Sequence, residues 1–207
     1  VDMPVAGNRE HDARNRFSLG DQVEMANFAG YVQRNFPEQV GESGLARFVE
    51  EQFDASLTWK AVEWLRSIAD VPLVLKGIQH PADGERAADA GVDAIVVSNH
   101  GGRQLDGAEP GIRLLPDVVA AVKGRIPVLL DGGIRRGSHA ARALCLGADA
   151  VLVGRPYLWG LTVGGAPGVA HVLEILDEEL LRSMALLGAV QLSDLGPDLL
   201  APARRPH

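Results

Sequence analysis

From residue 57 onward the sequence alternates between short apolar runs and segments with helical periodicity, and this alternation limits the possible folds more than any other feature. The apolar runs, which we predict to be strands, occupy residues 71–77, 94–98, 126–130 and 150–153. The segments with helical periodicity occupy residues 58–69, 81–90, 114–122 and 138–146. Because helices cover both faces of a parallel sheet, its strands are uninterrupted apolar runs like these. The pattern predicts an α/β protein with a parallel sheet.

Four successive strand–helix units are typical of half of a (β/α)8 barrel, and the placement of polar residues agrees with that fold. Each predicted strand ends in polar residues or glycine or is followed at once by them, so these residues would all lie at one end of the barrel. Barrel enzymes have their active sites at that end. We therefore predict the C-terminal half of a TIM barrel, from the end of the fourth strand through the eighth strand, with helices after residue 172 closing the outside.

Residues 1–56 differ from the repeating part of the chain. Residues 1–4 are similar to the end of a strand, and about fifty residues of mixed composition follow; a connection of that length in a barrel is usually an active-site loop or lid. We predict three segments: the strand end and loop over 1–56, the barrel units over 57–200, and a frayed tail rich in proline and arginine over 201–207.

Composition narrows the classes of function. The 207 residues are 46% hydrophobic and 23% charged, as expected of a globular protein with a sizeable core. The net charge of −7 argues against binding to nucleic acid. No apolar stretch is long enough for a membrane span and the first residues lack a signal-peptide pattern, so we expect a cytoplasmic protein. We expect no metal centre, and we predict that the single cysteine, Cys145, is a buried apolar residue.

The segment 95–106 carries the strongest functional signal. Its aliphatic residues end in Ser-Asn-His, and two glycines then allow a tight turn that brings Arg103 near His100. Arginine offers a planar pair of donors to a carboxylate, and histidine can accept a proton near neutral pH. The pair suits a substrate that has a carboxylate beside a carbon or hydroxyl that loses a proton. The alternative is a surface turn in which both residues are incidental.

Glycine-rich turns follow the last two predicted strands, and both contain arginine. The first is Asp-Gly-Gly-Ile-Arg-Arg-Gly at 131–137, which includes Arg135; the second is Gly154-Arg155. If the barrel is counted to its end, these are the loops after strands seven and eight, where barrels bind phosphate. Glycine admits close approach of the backbone, and the next helix N-terminus offers amide donors. We predict a phosphorylated ligand here, although the arginines of such a turn can also be merely solvated.

Lys76 is the third candidate. A lysine at the tip of an apolar strand is costly to desolvate unless an anionic group meets it. In a flavin enzyme that group would be the N1–C2 oxygen edge of the reduced ring. The alternative is a lysine whose ammonium reaches solvent at the strand end.

Taken together, these motifs resemble the FMN-dependent L-2-hydroxy acid oxidase and dehydrogenase family, whose members oxidise glycolate, lactate or mandelate. The matching segments are Lys76-Gly77, Ser-Asn-His-Gly-Gly-Arg-Gln-Leu-Asp at 98–106, Asp-Gly-Gly-Ile-Arg-Arg-Gly at 131–137 and Gly-Arg-Pro at 154–156. They fall in the order of the family. Residues 1–4, 9–10 and 15–17 also resemble its fourth strand and the loop that follows.

The resemblance assigns roles on the substrate side of the site. It implies that His100 is the active-site base and that Asp2 hydrogen-bonds this histidine and stabilises its protonated form. It implies that Arg103 is the principal ligand of the substrate carboxylate and that Arg9 is a second arginine there. The implied reaction oxidises an L-2-hydroxy acid to the 2-oxo acid with FMN as electron acceptor, and it leaves hydride transfer and proton abstraction from carbon both open.

The resemblance also assigns the cofactor side. It implies that Lys76 stabilises the anionic reduced flavin and so takes part in catalysis. It implies contacts to the flavin, the ribityl chain and the phosphate from these residues: Lys76, Ser98, Asp131, Gly132, Gly133, Arg135, Gly154 and Arg155.

The chain departs from the family because the first three and a half βα units are absent, and with them go several substrate and flavin contacts. We expect activity only beside a polypeptide that carries the N-terminal half, and the family implies a homo-oligomer. Two alternatives stay open: a catalytically silent half barrel, and another FMN barrel enzyme such as type 2 isopentenyl diphosphate isomerase. The residues do not rank glycolate, lactate and mandelate as substrates, nor oxidase, monooxygenase and dehydrogenase as activities.

Overall fold

The computed structural model describes residues 7, 10, 14, 15 and 53–201. Two predicted site residues, Asp2 and Arg9, lie outside the described residues, as do the predicted strand end at 1–4 and the tail after Ala201. The chain divides into two compact units, with the boundary between Thr58 and Trp59. This boundary lies two residues beyond the end of the predicted loop segment.

Few residues of the unit that ends at Thr58 are described. Glu10 and Arg14, one helical turn apart, form an exposed ion pair. Asp54 accepts hydrogen bonds from the amide and the hydroxyl of Ser56, at 2.8 and 2.6 Å, which closes a short turn. These contacts are local.

The other unit contains a four-stranded sheet in the order β1-β2-β3-β4, with every neighbouring pair parallel. The strands are β1 (Val74–Ile78), β2 (Ala94–Val97), β3 (Val128–Leu130) and β4 (Ala150–Val151). The helices are α1 (Trp59–Ile68), α2 (Pro81–Asp89), α3 (Gly111–Val122), α4 (Gly137–Cys145) and α5 (Arg155–Leu187). Each pair of consecutive strands is joined through one α-helix, and a short 3₁₀ helix (His100–Gly102) also lies between β2 and β3. The predicted α/β fold with a parallel sheet is confirmed.

Strand β1 differs from its prediction at both ends. It begins at Val74 rather than residue 71, since Pro72 has no amide to give a sheet and Val71 is 67% exposed. It also continues to Ile78, with an irregularity in the pairing to β2 at Gly77, whose φ is 99°. Lys76 therefore lies inside the strand, before a bulge, and the prediction that it ends the strand was wrong.

Helix α5 also differs from its prediction. The helical segment begins at Arg155, directly after β4, rather than after residue 172, and it is interrupted at Gly164 and Gly165. Gly165 has a φ of 60°, which a residue without a side chain adopts easily. In the part of the chain that the structure describes, no helix has both the length and the apolarity to cross a membrane.

The core lies between the sheet and helices α2 and α3. All four residues of β2 are buried, and Leu115 and Val118 of α3 are fully buried against the same cluster. A methyl group added at Gly84 of α2 would lie 3.0 Å from a methyl of Val118, so α2 and α3 pack without room for a side chain there. Cys145 is buried, as predicted, and burial raises the pKa of its thiol.

An aspartate before β2 and another before β4 tie the amino-terminal edge of the sheet together. Asp93 accepts a hydrogen bond from the amide of Leu73 at 2.7 Å, and Asp149 accepts one from the amide of Val128 at 2.7 Å. The Leu73 amide holds the pKa of Asp93 below its ordinary value, and the guanidinium of Arg66 adds to the effect. Polar groups at the amino-terminal ends of the strands thus hold neighbouring strands together. The carboxyl-terminal ends of the strands are left for a ligand.

Candidate active site

Three predicted site residues meet where β1, β2 and β3 end. The ammonium of Lys76 lies 3.1 Å from Oδ2 of Asp131 and donates a hydrogen bond to Oγ of Ser98 at 3.2 Å. Two backbone hydrogen bonds that continue the sheet pairing past the strands set this spacing. The amide of Ser98 donates to the carbonyl of Ile78 at 3.3 Å, and the amide of Asp131 donates to the carbonyl of Val97 at 3.2 Å. The parallel register therefore brings together three residues that are far apart in sequence.

This cluster is largely withdrawn from water. Ser98 is fully buried, and the side chains of Lys76 and Asp131 are 30% and 17% exposed. Oδ1 of Asp131 is buried and has no hydrogen-bond partner among the described residues. A buried acceptor left without a donor costs about 1–3 kcal/mol. Such an oxygen is available to accept a hydrogen bond from a ligand, for example from a hydroxyl group.

The backbone at His100 is strained. Its φ is 56°, in the left-handed region, where a residue with a side chain costs on the order of 1 kcal/mol or more. Oγ of Ser98 accepts a hydrogen bond from the His100 amide at 3.0 Å, and the Asn99 side chain accepts one from the amide of Gly102 at 3.2 Å. The Asn99 amide group also donates to the carbonyl of Glu109 at 3.2 Å. The loop is thus fixed in an unfavourable conformation, which is common at functional sites.

Arg103 ends the short 3₁₀ helix that begins at His100. Its amide donates to the carbonyl of His100 at 3.4 Å, and its side chain is exposed. The guanidinium makes no ion pair or hydrogen bond within the described part of the chain. The cation predicted to bind a carboxylate is therefore accessible to one, on the loop that carries the histidine.

The turn after β3 depends on its glycines. Gly132 and Gly133 have φ values of 86° and 81°. A side chain at Gly132 would approach the Asn99 amide oxygen to 3.5 Å, whereas the space beside Gly133 is open. The guanidinium of Arg135 lies over the ring of Trp159 in α5, 5.7 Å from its centre. This open, cationic turn agrees with the predicted phosphate site.

The turn after β4 is connected to the histidine loop. Arg155 donates a hydrogen bond to the carbonyl of Gly101 at 3.2 Å. The space beside Gly154 is open, and this residue starts α5 without a side-chain cap. A guanidinium has further donors beyond the one used here. Arg155 is therefore able to bind an anion while it holds the loop next to His100.

Glu179 of α5 binds the beginning of α4. Its carboxylate accepts hydrogen bonds from the amide of Gly137 at 2.9 Å and from Arg136 at 2.6 Å. These two contacts, the amide first, hold the pKa of Glu179 below its ordinary value. The first amide of α4, predicted as a donor to phosphate, is thus already bound to a carboxylate.

Sequence reasoning missed three residues of this site. Asn99 stands in a Ser-Asn-His-Gly-Gly segment, and asparagine before glycines is typical of such side-chain-to-backbone turns, so that signal was present. Trp159 and Glu179 lie 24 and 43 residues along from their arginine partners, Arg135 and Arg136. No local pattern connects residues so far apart.

This chain matches one protein family and is similar to several known oxidases. Residues 1–202 match the family described as FMN-dependent dehydrogenase. An L-lactate oxidase from Nostoc sp. is 52% identical over 200 residues, which are 97% of this chain and 55% of that protein. The human 2-hydroxyacid oxidase 1 is 47% identical over 190 residues, which are 91% of this chain and 51% of that protein.

Solved structures that are similar to this chain are also oxidases. The crystal structure of a mandelate oxidase with (S)-4-hydroxymandelic acid superposes with a TM-score of 0.85 at 47% identity. The match covers 94% of this chain and 54% of that chain. This chain spans about half the length of the relatives that it matches.

Proposed function

The chain belongs to the FMN-dependent dehydrogenase family, and we propose that, within a complete barrel, it oxidises an L-2-hydroxy acid to the 2-oxo acid. The observation that carries this proposal is the connected set of Lys76, Ser98 and Asp131 beside the strained loop of His100. The relatives are named for lactate, 2-hydroxy acids and mandelate, which supports the substrate class.

The described residues fit FMN. The unpartnered oxygen of Asp131 suits a ribityl hydroxyl, and the open space beside Gly133 and Gly154 admits a ligand close to the backbone. Lys76 and Ser98 would contact the flavin, with the ammonium countering negative charge on the reduced ring. FMN, when bound, accepts the two electrons that leave the substrate. Gly132 would bring its backbone close to the same ligand.

His100 acts as the base in this proposal. Its amide is held by Ser98, and its backbone conformation is fixed by the loop, so the Cα of His100 is held in place before substrate arrives. It removes a proton from the substrate, either from the hydroxyl group or from carbon 2. Asp2, outside the described residues, stays a predicted partner of the resulting imidazolium.

Arg103 binds the substrate carboxylate. Its guanidinium is exposed and reaches no anion among the described residues, and its planar donors match the two oxygens of a carboxylate. An anchored carboxylate fixes the position of carbon 2, which both proton-transfer routes require. Arg9, also outside the described residues, stays a predicted second arginine on the substrate side.

Arg135 and Arg155 hold the phosphate of FMN in this proposal. Both arginines are already oriented, Arg135 over the ring of Trp159 and Arg155 toward the carbonyl of Gly101. Side chains held in place lose less conformational entropy on binding. The polypeptide that completes the barrel, a homo-oligomeric assembly and a cytoplasmic location stay predictions.

The proposal is tested by anaerobic flavin reduction. The mass-verified chain is combined with FMN and with the N-terminal half of the Nostoc L-lactate oxidase, and glycolate, L-lactate or (S)-mandelate is added. We expect the visible flavin absorbance to bleach with at least one acid. The His100→Gln variant should retain FMN and bleach more slowly by about 10² to 10⁴-fold, the usual contribution of a general base.

Three outcomes would contradict the proposal. If FMN binds and none of the 2-hydroxy acids bleaches it, the chain is a catalytically silent binding unit. If His100→Gln bleaches at the wild-type rate, the histidine is not the base. Conversion of isopentenyl diphosphate by the flavin-loaded protein would indicate the isomerase alternative.

A further inference from the structure

Two consecutive arginines in the turn after β3 have different partners. The guanidinium of Arg135 lies 5.7 Å from the centre of the Trp159 ring and forms no ion pair with a carboxylate among the described residues. Arg136 instead forms an ion pair with Glu179 at 2.6 Å. The two side chains carry the same charge and are adjacent in the chain, so local charge alone does not distinguish them as ligands. The difference between them comes from α5.

Glu179 acts at a point where α4 and α5 are in direct contact. A methyl group added at Gly137 would overlap the backbone nitrogen of Leu180, so the start of α4 rests on the backbone of α5. The Glu179 side chain, 24% exposed, accepts from the Gly137 amide with one oxygen and from Arg136 with the other. One carboxylate thus fixes the end of the glycine turn that contains Arg135.

We propose that Glu179 is a positioning residue for the phosphate site: by binding Arg136 and the first amide of α4, it fixes the turn so that Arg135 is its phosphate-binding cation. This inference rests on the proposed binding of FMN. Glu179 does not touch the ligand in this role. Arg136 also balances the charge of Glu179, which would otherwise repel a nearby phosphate.

Whether FMN binds more weakly or more tightly after the Glu179 carboxylate is removed distinguishes a positioning role from simple electrostatics. Removing a negative charge near a phosphate would by itself strengthen FMN binding, and it would release Arg136 as an additional cation. If Glu179 positions the turn, its removal weakens FMN binding in spite of the more favourable charge. A role in general folding would weaken FMN and riboflavin, which lacks the phosphate, to the same extent.

The test compares dissociation constants of FMN and riboflavin by titration of the whole chain. We expect Glu179→Ala to weaken FMN by about tenfold, the scale of one or two lost charge-assisted hydrogen bonds, with riboflavin changed less than about twofold, within the effect of a typical surface substitution. Glu179→Gln keeps an oxygen for the Gly137 amide and should lose less. Glu178→Gln, at the exposed neighbouring position on α5, is the matched control and should leave both constants unchanged.

Three results would overturn the inference: equal weakening of both flavins, unchanged binding of both, or tighter binding of FMN. Hydrogen exchange of the amides at 133–139, measured without flavin, gives a second readout that separates the two proposals. If the wild-type chain prefers FMN but Glu179→Ala leaves this exchange unchanged, the positioning role fails alone. If exchange accelerates in Glu179→Ala but the wild-type chain binds FMN and riboflavin equally, the proposed phosphate site is wrong. The role of Glu179 toward phosphate is then wrong as well.

Discussion

Ser98 connects the cofactor side of the site to the substrate side. Its Oγ accepts hydrogen bonds from the Lys76 ammonium and from the His100 amide, at 3.2 and 3.0 Å, in a fully buried position. With both lone pairs used, the hydroxyl proton is left to donate to another group. One small side chain therefore sets the position of a cation and the conformation of the loop that carries the base.

Ser98→Ala is expected to destabilise the protein and to slow flavin reduction. The substitution removes the acceptor of two partly buried donors, which costs on the order of 1 kcal/mol. Urea unfolding measures the loss of stability, with Ser138→Ala at an exposed position as the control. An unchanged unfolding free energy would show that the donors of Lys76 and His100 find other acceptors.

Arg103→Lys is expected to weaken the use of a 2-hydroxy acid, although the charge is kept. An ammonium cannot reproduce two parallel hydrogen bonds to a carboxylate, and the loss of one charge-assisted bond is worth about 1.5–3 kcal/mol. Steady-state kinetics of the completed enzyme measures kcat/KM, and Arg113→Lys, at an exposed position of α3 paired with Glu109, is the control. Equal kcat and KM for Arg103→Lys and the wild type would exclude the carboxylate role.

At the scale of elements, the turns after β3 and β4 are anchored by different parts of the molecule. Arg135 lies over a ring of α5, whereas Arg155 donates to the carbonyl of Gly101 in the histidine loop. Removing the first guanidinium should disturb only the phosphate side. Removing the second should also release a carbonyl next to the strained residue His100.

The two arginines should therefore differ in their effects. Arg135→Ala and Arg155→Ala are each expected to weaken FMN more than riboflavin, because riboflavin has no phosphate. Only Arg155→Ala should additionally accelerate amide exchange at 100–103. Titration with both flavins and hydrogen-exchange mass spectrometry make the comparison, and equal weakening of FMN and riboflavin would mean that the arginines act through folding.

The amino-terminal edge of the sheet gives a prediction about acid stability. The Leu73 amide and Arg66 stabilise the charged form of Asp93, so its pKa is lowered in the folded state. The resulting stabilisation is complete above the unfolded aspartate pKa of about 3.9 and is lost as the pH falls through the folded value. Asp93→Asn should therefore lower Tm at neutral pH, and the difference from wild type should shrink below pH of about 4.

The control for acid stability is Asp117→Asn, at an exposed position of α3. Thermal unfolding of both variants and the wild type between neutral and acid pH measures the differences. A gap between Asp93→Asn and wild type that stays constant with pH would show that the hydrogen bond from Leu73 does not depend on the carboxylate charge.

Sequence predicted the elements where one local pattern dominates. The buried strand β2 and helix α2, begun by Pro81, were located within one residue of each end. The bulge at Gly77 and the break at Gly164 and Gly165 depend on pairing and packing with other elements, which periodicity does not report. The meeting of the strand ends followed from the parallel sheet, whereas the contacts made by α5 required the structure.

At the scale of the whole molecule, the sheet has two unpaired edges among the described residues. Strand β1 pairs only with β2, and β4 pairs only with β3. Val74 of β1 is 41% exposed, and Leu152 after β4 is 36% exposed. Open edges and exposed apolar side chains are where another chain can pair with a sheet. The structural neighbours, which are about twice as long, indicate what such a chain would contain.

We expect the isolated chain to bind FMN weakly, to bind a dye specific for apolar surface, and to show no turnover. The N-terminal half of the Nostoc oxidase should restore flavin binding and activity, because it would cover both edges and supply the other wall of the cofactor site. The chain is titrated with this N-terminal half while flavin absorbance and the loss of dye fluorescence are monitored. Both signals should saturate at a one-to-one ratio of the two polypeptides. Val151→Pro removes a backbone N–H of β4 without adding charge, and we expect it to weaken the association of the two halves. If the isolated, mass-verified chain oxidises a 2-hydroxy acid at full rate, the edges are covered by another copy of the chain, and its mass in solution would then be that of a dimer.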